Sequence, residues 1–399
     1  MKRIALLLLA AYAGSLFLES FTFADLGSIT RLVGYLAFIV GIATMMTQRG
    51  IQRPGLGHVL LTAFVCFSFM SVLWSVDPDM TLDRTWMYSM QLAFLWLVLQ
   101  IVESQEDMNI VMGGYVIGSV LASSVNLHAF DAGQQTIANS GRYSAATLDP
   151  NEFALTVALS IPMAWYLGFS AKRPIVRGFF LLCPLIMIPG VILTGSRGAT
   201  VAMCAALLII PLCFNRIGAL TKGIVVATGI SAIVGGVTLL PESTLKRLAS
   251  IGPEAMTGSM AGRREIWAAG WEQFKDHPIF GVGTGGFAQS ISLANSQNPV
   301  AHNTYLSVAT ELGVVGFLIY FLALVSMMLD VLRMPKPERW LWLPVLLAWM
   351  IGVSTLTWEH TKTTWLIFAL ILTRARLFDS EREHAADEWE SEAVLPLPS

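Results

Sequence analysis

Long apolar runs separated by short polar turns follow one another along most of the chain. A membrane-spanning helix needs about twenty predominantly apolar residues, or somewhat fewer where the flanking residues are polar but uncharged. The runs are centred in Ile4–Leu18, Leu32–Met46, Leu56–Trp74, Trp86–Val102, Ile110–Leu127, Phe153–Phe169, Val176–Leu193, Ala199–Phe214, Ile224–Leu240, Tyr305–Leu329, Leu341–Leu356 and Thr363–Leu377. The pattern predicts an all-α polytopic integral membrane protein with about twelve transmembrane helices.

The first apolar run follows Lys2 and Arg3, as the apolar core of a secretory signal peptide would. A signal peptide also needs a cleavage site of small residues, and Phe17–Glu19 does not fit one. The sequence therefore favours a retained first helix.

Lysine and arginine residues are distributed unevenly between the two sets of loops. One set contains Lys2, Arg3, Arg49, Arg53, Lys172, Arg173, Arg177, Arg216, Lys222, Arg333, Lys336, Arg339, Arg374 and Arg376. The short loops of the other set contain mainly Arg31, Arg84, Arg142, Arg197 and Lys362. Because cytoplasmic loops carry the excess of positive charge, both termini are predicted to lie in the cytoplasm.

Two extracytoplasmic loops are longer than the remaining turns. The first covers about Ala129–Asn151 and the second covers residues 241–303. Residues 1–378 are predicted to form one membrane domain that includes both loops. The acidic tail, residues 379–399, is predicted to be disordered and cytoplasmic.

The composition agrees with a membrane protein. Hydrophobic residues make up 55% of the 399 residues and charged residues 13%, with a mean hydropathy of +0.63. A soluble domain of this size needs more charged surface, and a net charge of −2 gives no basic patch for nucleic acid. The four cysteines lie in apolar runs without paired spacing, and no His, Cys or Asp cluster has metal-ligand spacing.

Arg197 stands in the turn Thr194-Gly-Ser-Arg-Gly-Ala199, which has almost no polar residues to separate two apolar runs. Glycines allow a tight turn, and the N-terminus of the next helix offers unbonded N–H groups. A guanidinium at this point suits a diphosphate at the extracytoplasmic membrane surface. The alternative is an interfacial arginine whose charge reaches lipid headgroups.

The large loop contains Arg263 and Arg264 at the start of a stretch with apolar residues at helical spacing. The stretch predicts an amphipathic helix on the membrane that ends at Asp276-His277-Pro278, with a solvated loop face as the alternative for the arginines. The glycine-rich segment Phe280–Phe287 follows. Without a preceding strand or a following Lys-Ser/Thr it does not fit a nucleotide loop, and a tight loop packed over the site is favoured.

His302 ends the large loop, and Asn303 is positioned to cap the next helix. Glu311 lies inside the following apolar run, where a carboxylate needs a partner or a path for water. In a straight helix His302 and Glu311 would point to opposite faces, so they are not predicted to form a dyad. We expect Glu311 to pair with an arginine from another element, Arg197 being the candidate. For His302, the alternative to catalysis is a structural hydrogen bond.

Five motifs together resemble the bacterial O-antigen ligase / O-antigen polymerase superfamily over most of the chain. They are Trp74-Ser-Val-Asp-Pro78, Asp149-Pro-Asn-Glu-Phe153, Thr194–Ala199, Arg263/Arg264 to Gly283, and His302-Asn303-Thr-Tyr305-Leu to Glu311 and Gly316. The resemblance implies a class C glycosyltransferase-like helical fold in the bacterial inner membrane. It also implies transfer of a glycan from an undecaprenyl-diphosphate donor at the periplasmic face, with no metal, nucleotide or other cofactor.

The resemblance also implies roles for individual residues. Arg197 would bind the diphosphate, either Arg263 or Arg264 would assist, and His302 would be the base for the acceptor hydroxyl. The remaining motif residues would support the site, namely Glu311, Asn303 and Tyr305. The reaction would invert the anomeric configuration.

The motifs leave the acceptor open. A ligase would use lipid A-core or another acceptor, whereas a polymerase would join lipid-linked repeat units of O-antigen or exopolysaccharide. A lipid-linked oligosaccharide transporter is the alternative from another class. It would be expected to contain repeated halves and polar groups at the bilayer midplane, which the sequence does not display.

Overall fold

The computed structural model of the protein describes residues 1–19, 22–23, 27–47, 50–136, 142–145, 148–213, 218–238, 240–250, 262–291 and 299–393. These residues fold mainly into α-helices. The helices are α1 (Lys2–Ser15), α2 (Ile29–Met45), α3 (Leu56–Met70), α4 (Pro78–Ile101), α5 (Gln105–Asp131), α6 (Pro150–Ser170), α7 (Pro174–Leu182), α8 (Pro184–Leu193), α9 (Arg197–Cys213), α10 (Ala219–Thr238), α11 (Glu242–Ala249), α12 (Arg263–Asp276), α13 (Phe287–Ser290), α14 (Thr304–Arg333), α15 (Lys336–Val353) and α16 (Lys362–Ala393). Short 3-10 turns follow α1 and α3 (Leu16–Leu18 and Ser71–Leu73), and β1 (Thr22–Phe23) pairs antiparallel with β2 (Gly27–Ser28).

The predicted apolar runs coincide with helices over their described residues. The seventh run is divided into α7 and α8 because Pro184 starts a new helix. Among the described residues, five segments are long and apolar enough to cross a membrane: Leu56–Leu73, Gln105–Asp131, Pro150–Ser170, Pro174–Leu193 and Thr304–Arg333. Shorter apolar helices occupy Ile29–Met45, Arg197–Leu207 and Lys222–Gly235. An all-α membrane protein is therefore supported, whereas the number of twelve spans stays a prediction.

The first helix is part of the helical core. α1 packs against α2 and α5, and its residues Ala5, Leu9 and Ala13 are fully buried. At Gly118 of α5 a Cβ atom would lie 2.2 Å from the carbonyl oxygen of Gly14. Small residues allow this close approach of two helix backbones. Retention of this helix stays a prediction.

Helix α14 is broken at Gly313, whose φ of 62° and ψ of −166° are not helical. The segment 277–286, called the glycine loop below, fills the break. Four backbone hydrogen bonds join the glycine loop to α14. The loop donates from the N–H of Val282 to Thr310 O (3.1 Å) and from that of Gly283 to Glu311 O (2.8 Å). The helix donates from the N–H of Val314 to Pro278 O (2.8 Å) and from that of Val315 to Ile279 O (3.3 Å). The loop thus supplies partners for backbone groups that the interrupted helix leaves without intrahelical ones.

Helix α16 extends into the acidic C-terminal tail. It continues to Ala393, within the range 379–399 that was predicted to be disordered, and the disorder of the tail stays a prediction. Residues 394–399 lie outside the described part of the chain. Two ion pairs near the start of the tail stabilise the helix, from Arg376 to Asp379 (2.9 Å) and from Arg374 to Glu381 (3.4 Å). Alanine and glutamate, which are frequent in this segment, also favour helix.

Candidate active site

Two arginines hold the turn between α8 and α9. Arg142 donates from Nε to the carbonyl oxygen of Thr194 (2.8 Å), and Arg247 donates from Nε to that of Gly195 (3.1 Å). Gly195 has a φ of +62°, which an L side chain rarely adopts. The turn that precedes Arg197 is therefore fixed by arginines from both long loops.

Arg197 begins α9 and donates from Nη1 to Ser250 Oγ (3.3 Å). Burial and the positive charges of Arg247, Arg263 and Arg197 together lower the pKa of Arg142 to about 10. Four guanidinium groups from separate parts of the sequence thus lie within electrostatic reach of one another. We call Arg142, Arg197, Arg247 and Arg263 the arginine cluster.

Arg263 is the member of the Arg263–Arg264 pair that lies in this cluster. Its side chain is half-buried, whereas Arg264 is exposed. Burial lowers the pKa of Arg263, and the charges of Arg197 and Arg247 add to that effect. As predicted, both arginines stand at the start of an amphipathic helix, and that helix ends at Asp276.

His302 lies beside the arginine cluster. Burial lowers the pKa of its imidazole, the charge of Arg263 lowers it further, and the carboxylate of Asp149 acts in the opposite direction. The lowered pKa favours the neutral imidazole, which is the form that can accept a proton. Among the non-glycine residues of the described segments, His302 is the one with a positive φ, at 47°.

Hydrogen bonds connect the backbone beside His302 to the helix that carries Arg263. Trp267 of α12 donates from Nε1 to the carbonyl oxygen of Ala301 (2.8 Å). Farther along α12, the carbonyl oxygen of Gly270 accepts from Thr310 Oγ1 (3.1 Å). Arg263 and His302 are thus held on two segments that are bonded to each other.

Asp149 caps the N-terminus of α6, and its charge acts on Arg142, Arg263 and His302. Its Oδ1 accepts from the N–H groups of Asn151 (2.8 Å) and Glu152 (3.2 Å), which confirms the predicted helix start. Arg142 Nη2 donates to Asn151 Oδ1 (2.8 Å). The beginning of α6 therefore brings one carboxylate to the arginine cluster.

Glu311 is not bonded to Arg197, so that predicted pairing is wrong. Its Oε2 accepts from the N–H of Gly285 in the glycine loop (2.7 Å), and the cation that acts on it is Arg84 of α4. Arg84 also lies 3.7 Å from Glu359. The physical reason is the break at Gly313, which brings the glycine loop and not the α8–α9 turn to this carboxylate.

Asn303 and Tyr305, the other two residues predicted to support the site, make hydrogen bonds within the helical fold. Asn303 Oδ1 accepts from the N–H of Leu306 (3.1 Å), which confirms the predicted cap. Tyr305 donates from its hydroxyl to the carbonyl oxygen of Met350 (3.0 Å) and so joins α14 to α15. Both residues fix the start of the helix that follows His302.

The glycine loop contacts the motif Trp74–Pro78. Thr81 donates to the carbonyl oxygen of Thr284 (2.6 Å), and the N–H of Val76 donates to Val282 O (3.0 Å). The loop is therefore packed between α14 and the beginning of α4. The glycine loop contains most of the segment Phe280–Phe287, which was predicted to form a tight loop packed over the site.

Sequence reasoning missed Arg142 and Arg247 as site residues. Arg142 lies in the first long loop and Arg247 near the start of the second, and only the positive-inside count included Arg142. The available signal was that both residues lie in loops predicted to be on the same side of the membrane as Arg197. Among the described residues, no group of three or more His, Cys, Asp and Glu side chains is arranged to hold a metal ion.

A cavity of about 570 Å³ adjoins the start of α6. Its walls include aromatic residues of α1, α2 and α4, and polar residues such as Arg31, Glu152 and Lys362 also line it. It contains none of the four arginines of the cluster.

Comparison with known proteins points to one family. Residues 182–321 match the model of a family described as O-antigen ligase, and this range contains Arg197, Arg263 and His302. An O-antigen ligase of Pseudomonas aeruginosa is 25% identical over 310 residues, which cover 75% of this chain and 72% of that protein. The chain is thus similar to O-antigen ligases over a region that includes these candidate residues.

Proposed function

We propose that the protein is a membrane glycosyltransferase that moves a glycan from an undecaprenyl-diphosphate donor to an acceptor hydroxyl at the periplasmic face of the bacterial inner membrane. Similarity to the O-antigen ligase family and to an O-antigen ligase of Pseudomonas aeruginosa supports a ligase-type glycan transfer. The observation that carries the finer proposal is the arrangement of four arginines beside His302, held by hydrogen bonds of the α8–α9 turn and of α12.

The arginine cluster suits the donor diphosphate. Guanidinium groups bind phosphate oxygens with two hydrogen bonds and keep their charge when partly buried. As the glycosidic C–O bond breaks, both electrons of that bond leave with the diphosphate, and Arg197 and Arg263 stabilise the growing negative charge. In this proposal, matched positive charge takes the place of a metal ion.

His302 suits the acceptor. Its neutral imidazole takes the proton of the acceptor hydroxyl, and the hydroxyl oxygen forms a bond to the anomeric carbon. Attack from the face opposite the diphosphate inverts the configuration at that carbon. Asp149 lies within electrostatic reach of His302 and favours the protonated imidazolium that results.

The test is transfer by purified protein in proteoliposomes that contain an undecaprenyl-diphosphate-linked glycan. The His302→Ala variant should lose about 10²–10⁴-fold in rate and leave the lipid-linked donor unconsumed. The exposed His128 provides the matched control, and His128→Ala should retain the rate of the unmodified protein. Undiminished transfer by His302→Ala would contradict the role of His302 as the base.

The same assay separates Arg263 from Arg264. Because Arg263 lies in the cluster and Arg264 is exposed, Arg263→Ala should lower the rate more than Arg264→Ala. The product identifies the acceptor: a ligase forms one new attachment to lipid A-core or another acceptor, whereas a polymerase forms longer lipid-linked chains. The relative from Pseudomonas aeruginosa favours the ligase.

The topology is a separate part of the proposal. Both termini are placed in the cytoplasm, and the arginine cluster and His302 on the opposite side. A reporter inserted near Gln289 should be active in the periplasm, and one fused to the C-terminus should be active in the cytoplasm. Activity of each reporter on the other side would contradict the proposal, because the arginine cluster and His302 would then face the cytoplasm and not a donor in the periplasmic leaflet.

A further inference from the structure

The glycine loop exposes apolar side chains. Ile279 is 57% exposed and Phe280 is 52% exposed. Between Pro278 and Ile291 the sequence contains no Asp, Glu, Lys or Arg. A water-facing loop that ends a polar helix would ordinarily carry charged residues, so these exposed side chains need a cover.

The exposed side chains continue an apolar surface across the end of α3. The rings of Phe280 and Trp74 lie 5.5 Å apart between centroids, and Trp74 donates from Nε1 to the carbonyl oxygen of Phe280 (3.1 Å). Leu73 and Val76, on either side of Trp74 and Ser75, are 83% and 51% exposed. We call Leu73, Trp74, Val76, Ile279 and Phe280 the apolar patch.

The apolar patch joins the surfaces of two helices that are long and apolar enough to cross a membrane. Those helices are the Leu56–Leu73 segment and α14, which pack against each other. Both expose further apolar side chains near the patch, which are Phe69, Met70, Val314 and Leu318. Where these two helices face lipid, the patch faces the same lipid.

Polar neighbours fix the depth of the patch. Asp77 and Asp79 lie one and three residues after Val76, and the exposed Asp276 and His277 precede Pro278. Carboxylates require water, whereas tryptophan is enriched where hydrocarbon meets headgroups. The patch therefore belongs at the boundary between the hydrocarbon core and the headgroups, on the membrane face that carries His302.

We propose that the apolar patch contacts the phospholipid bilayer and sets the height of α12 above the membrane. The loop cannot shift independently, because the four backbone hydrogen bonds at the Gly313 break fasten it to α14. α12 runs directly into the glycine loop and carries Arg263 at its other end. The bilayer contact rests on the membrane placement of α3 and α14, and its consequence for a lipid-linked donor rests on the proposed function.

Site-directed spin labelling tests the contact. The full chain, with Cys66, Cys183, Cys204 and Cys213 replaced by serine, is reconstituted in phospholipid nanodiscs with a single nitroxide at position 280 or 272. Glu272 is the matched control on α12, with a side chain 66% exposed and paired with Lys275. The relaxation of each label by oxygen, which enters the bilayer, is compared with relaxation by a water-soluble nickel chelate.

Oxygen should relax the label at position 280 more than the nickel chelate does, and the order should reverse at position 272. Equal access of the chelate to both positions would overturn the proposal, because the patch would then face water. Protection of position 280 from both reagents would also overturn it, because a protein would then cover the patch.

The height of α12 has its own measurement in the transfer assay. Phe280→Asp should raise the KM for the lipid-linked donor with little change in kcat, and Phe280→Leu should restore the original KM. An unchanged KM in Phe280→Asp would show that the apolar patch does not set the height of α12 above the membrane. The labelling result does not depend on activity, so it stands even if His302→Ala transfers glycan normally and the proposed function fails.

Discussion

The N–H of Gly285 donates a 2.7 Å hydrogen bond to Oε2 of Glu311, so the glycine loop is bound to α14 by a side chain as well as by backbone groups. Glu311 is only 5% exposed. The contact lies on the opposite side of the Gly313 break from most of the apolar part of α14. It joins the loop that follows α12 to the helix that follows His302.

Replacing Glu311 should destabilise this junction. Glu311→Ala leaves the buried N–H of Gly285 without its acceptor, which costs about 1–3 kcal/mol. Glu311→Gln keeps an oxygen of similar reach and should lose less. Thermal unfolding of the detergent-solubilised protein measures both. Equal melting temperatures for Glu311→Ala and the unmodified protein would show that the hydrogen bond adds nothing to stability.

Gly313 should tolerate no side chain. A Cβ atom there would lie 2.3 Å from the carbonyl oxygen of Ile279, and the φ of +62° is unfavourable for alanine. Strain of this kind costs on the order of 1–3 kcal/mol, so Gly313→Ala should unfold at lower temperature. Gly229 of α10 is the matched control, because a Cβ atom there meets nothing within 4 Å. If Gly229→Ala loses as much stability as Gly313→Ala, the break is not the cause.

The pH dependence of transfer should follow His302. The imidazole must be neutral to accept a proton, so kcat/KM falls as the pH drops through its pKa. Asp149 raises that pKa, against the lowering by burial and by Arg263. Asp149→Asn keeps a helix cap but removes the negative charge, so the acidic limb should move to lower pH. The limb should not move in Asp276→Asn, and a shift to higher pH in Asp149→Asn would contradict the assignment.

Arg142 should be required in its role as a bridge. Its Nε and Nη2 donate to Thr194 O and Asn151 Oδ1, both at 2.8 Å. One ammonium group cannot reproduce this fork, so Arg142→Lys should lower kcat/KM by about tenfold to a hundredfold. The exposed Arg173 at the start of α7 gives the control Arg173→Lys, with no expected change. Full activity in Arg142→Lys would show that position 142 needs only a positive charge and not the two hydrogen bonds.

Local patterns predicted the elements that local physics determines. Apolar runs gave the helices, Asn303 gave a helix cap, and the spacing of Ile266, Trp267 and Trp271 gave the amphipathic α12. Arg197, Arg263 and His302 were singled out as candidates, and the structure places Arg197 and His302 both within reach of the charge of Arg263. Their chemical roles stay predictions.

Features that depend on distant packing were not predictable in the same way. The apolar run of α14 continues through Gly313, so nothing in its periodicity marks the break. The neighbour of Glu311 is Arg84, more than two hundred residues earlier in the sequence, and only the packing of α4 brings it there. Helix α16 continues past Phe378 with ion pairs and good helix formers, which the acidic composition alone did not predict.

The left-handed backbone of His302 has a consequence for the balance between folding and activity. A residue with a Cβ atom pays in conformational energy for a φ of 47°, whereas glycine adopts it freely. The His302→Gly variant should therefore unfold at a higher temperature than the unmodified protein and be inactive in transfer. The imidazole would then be retained at the expense of stability, as expected where chemistry rather than folding dictates the side chain.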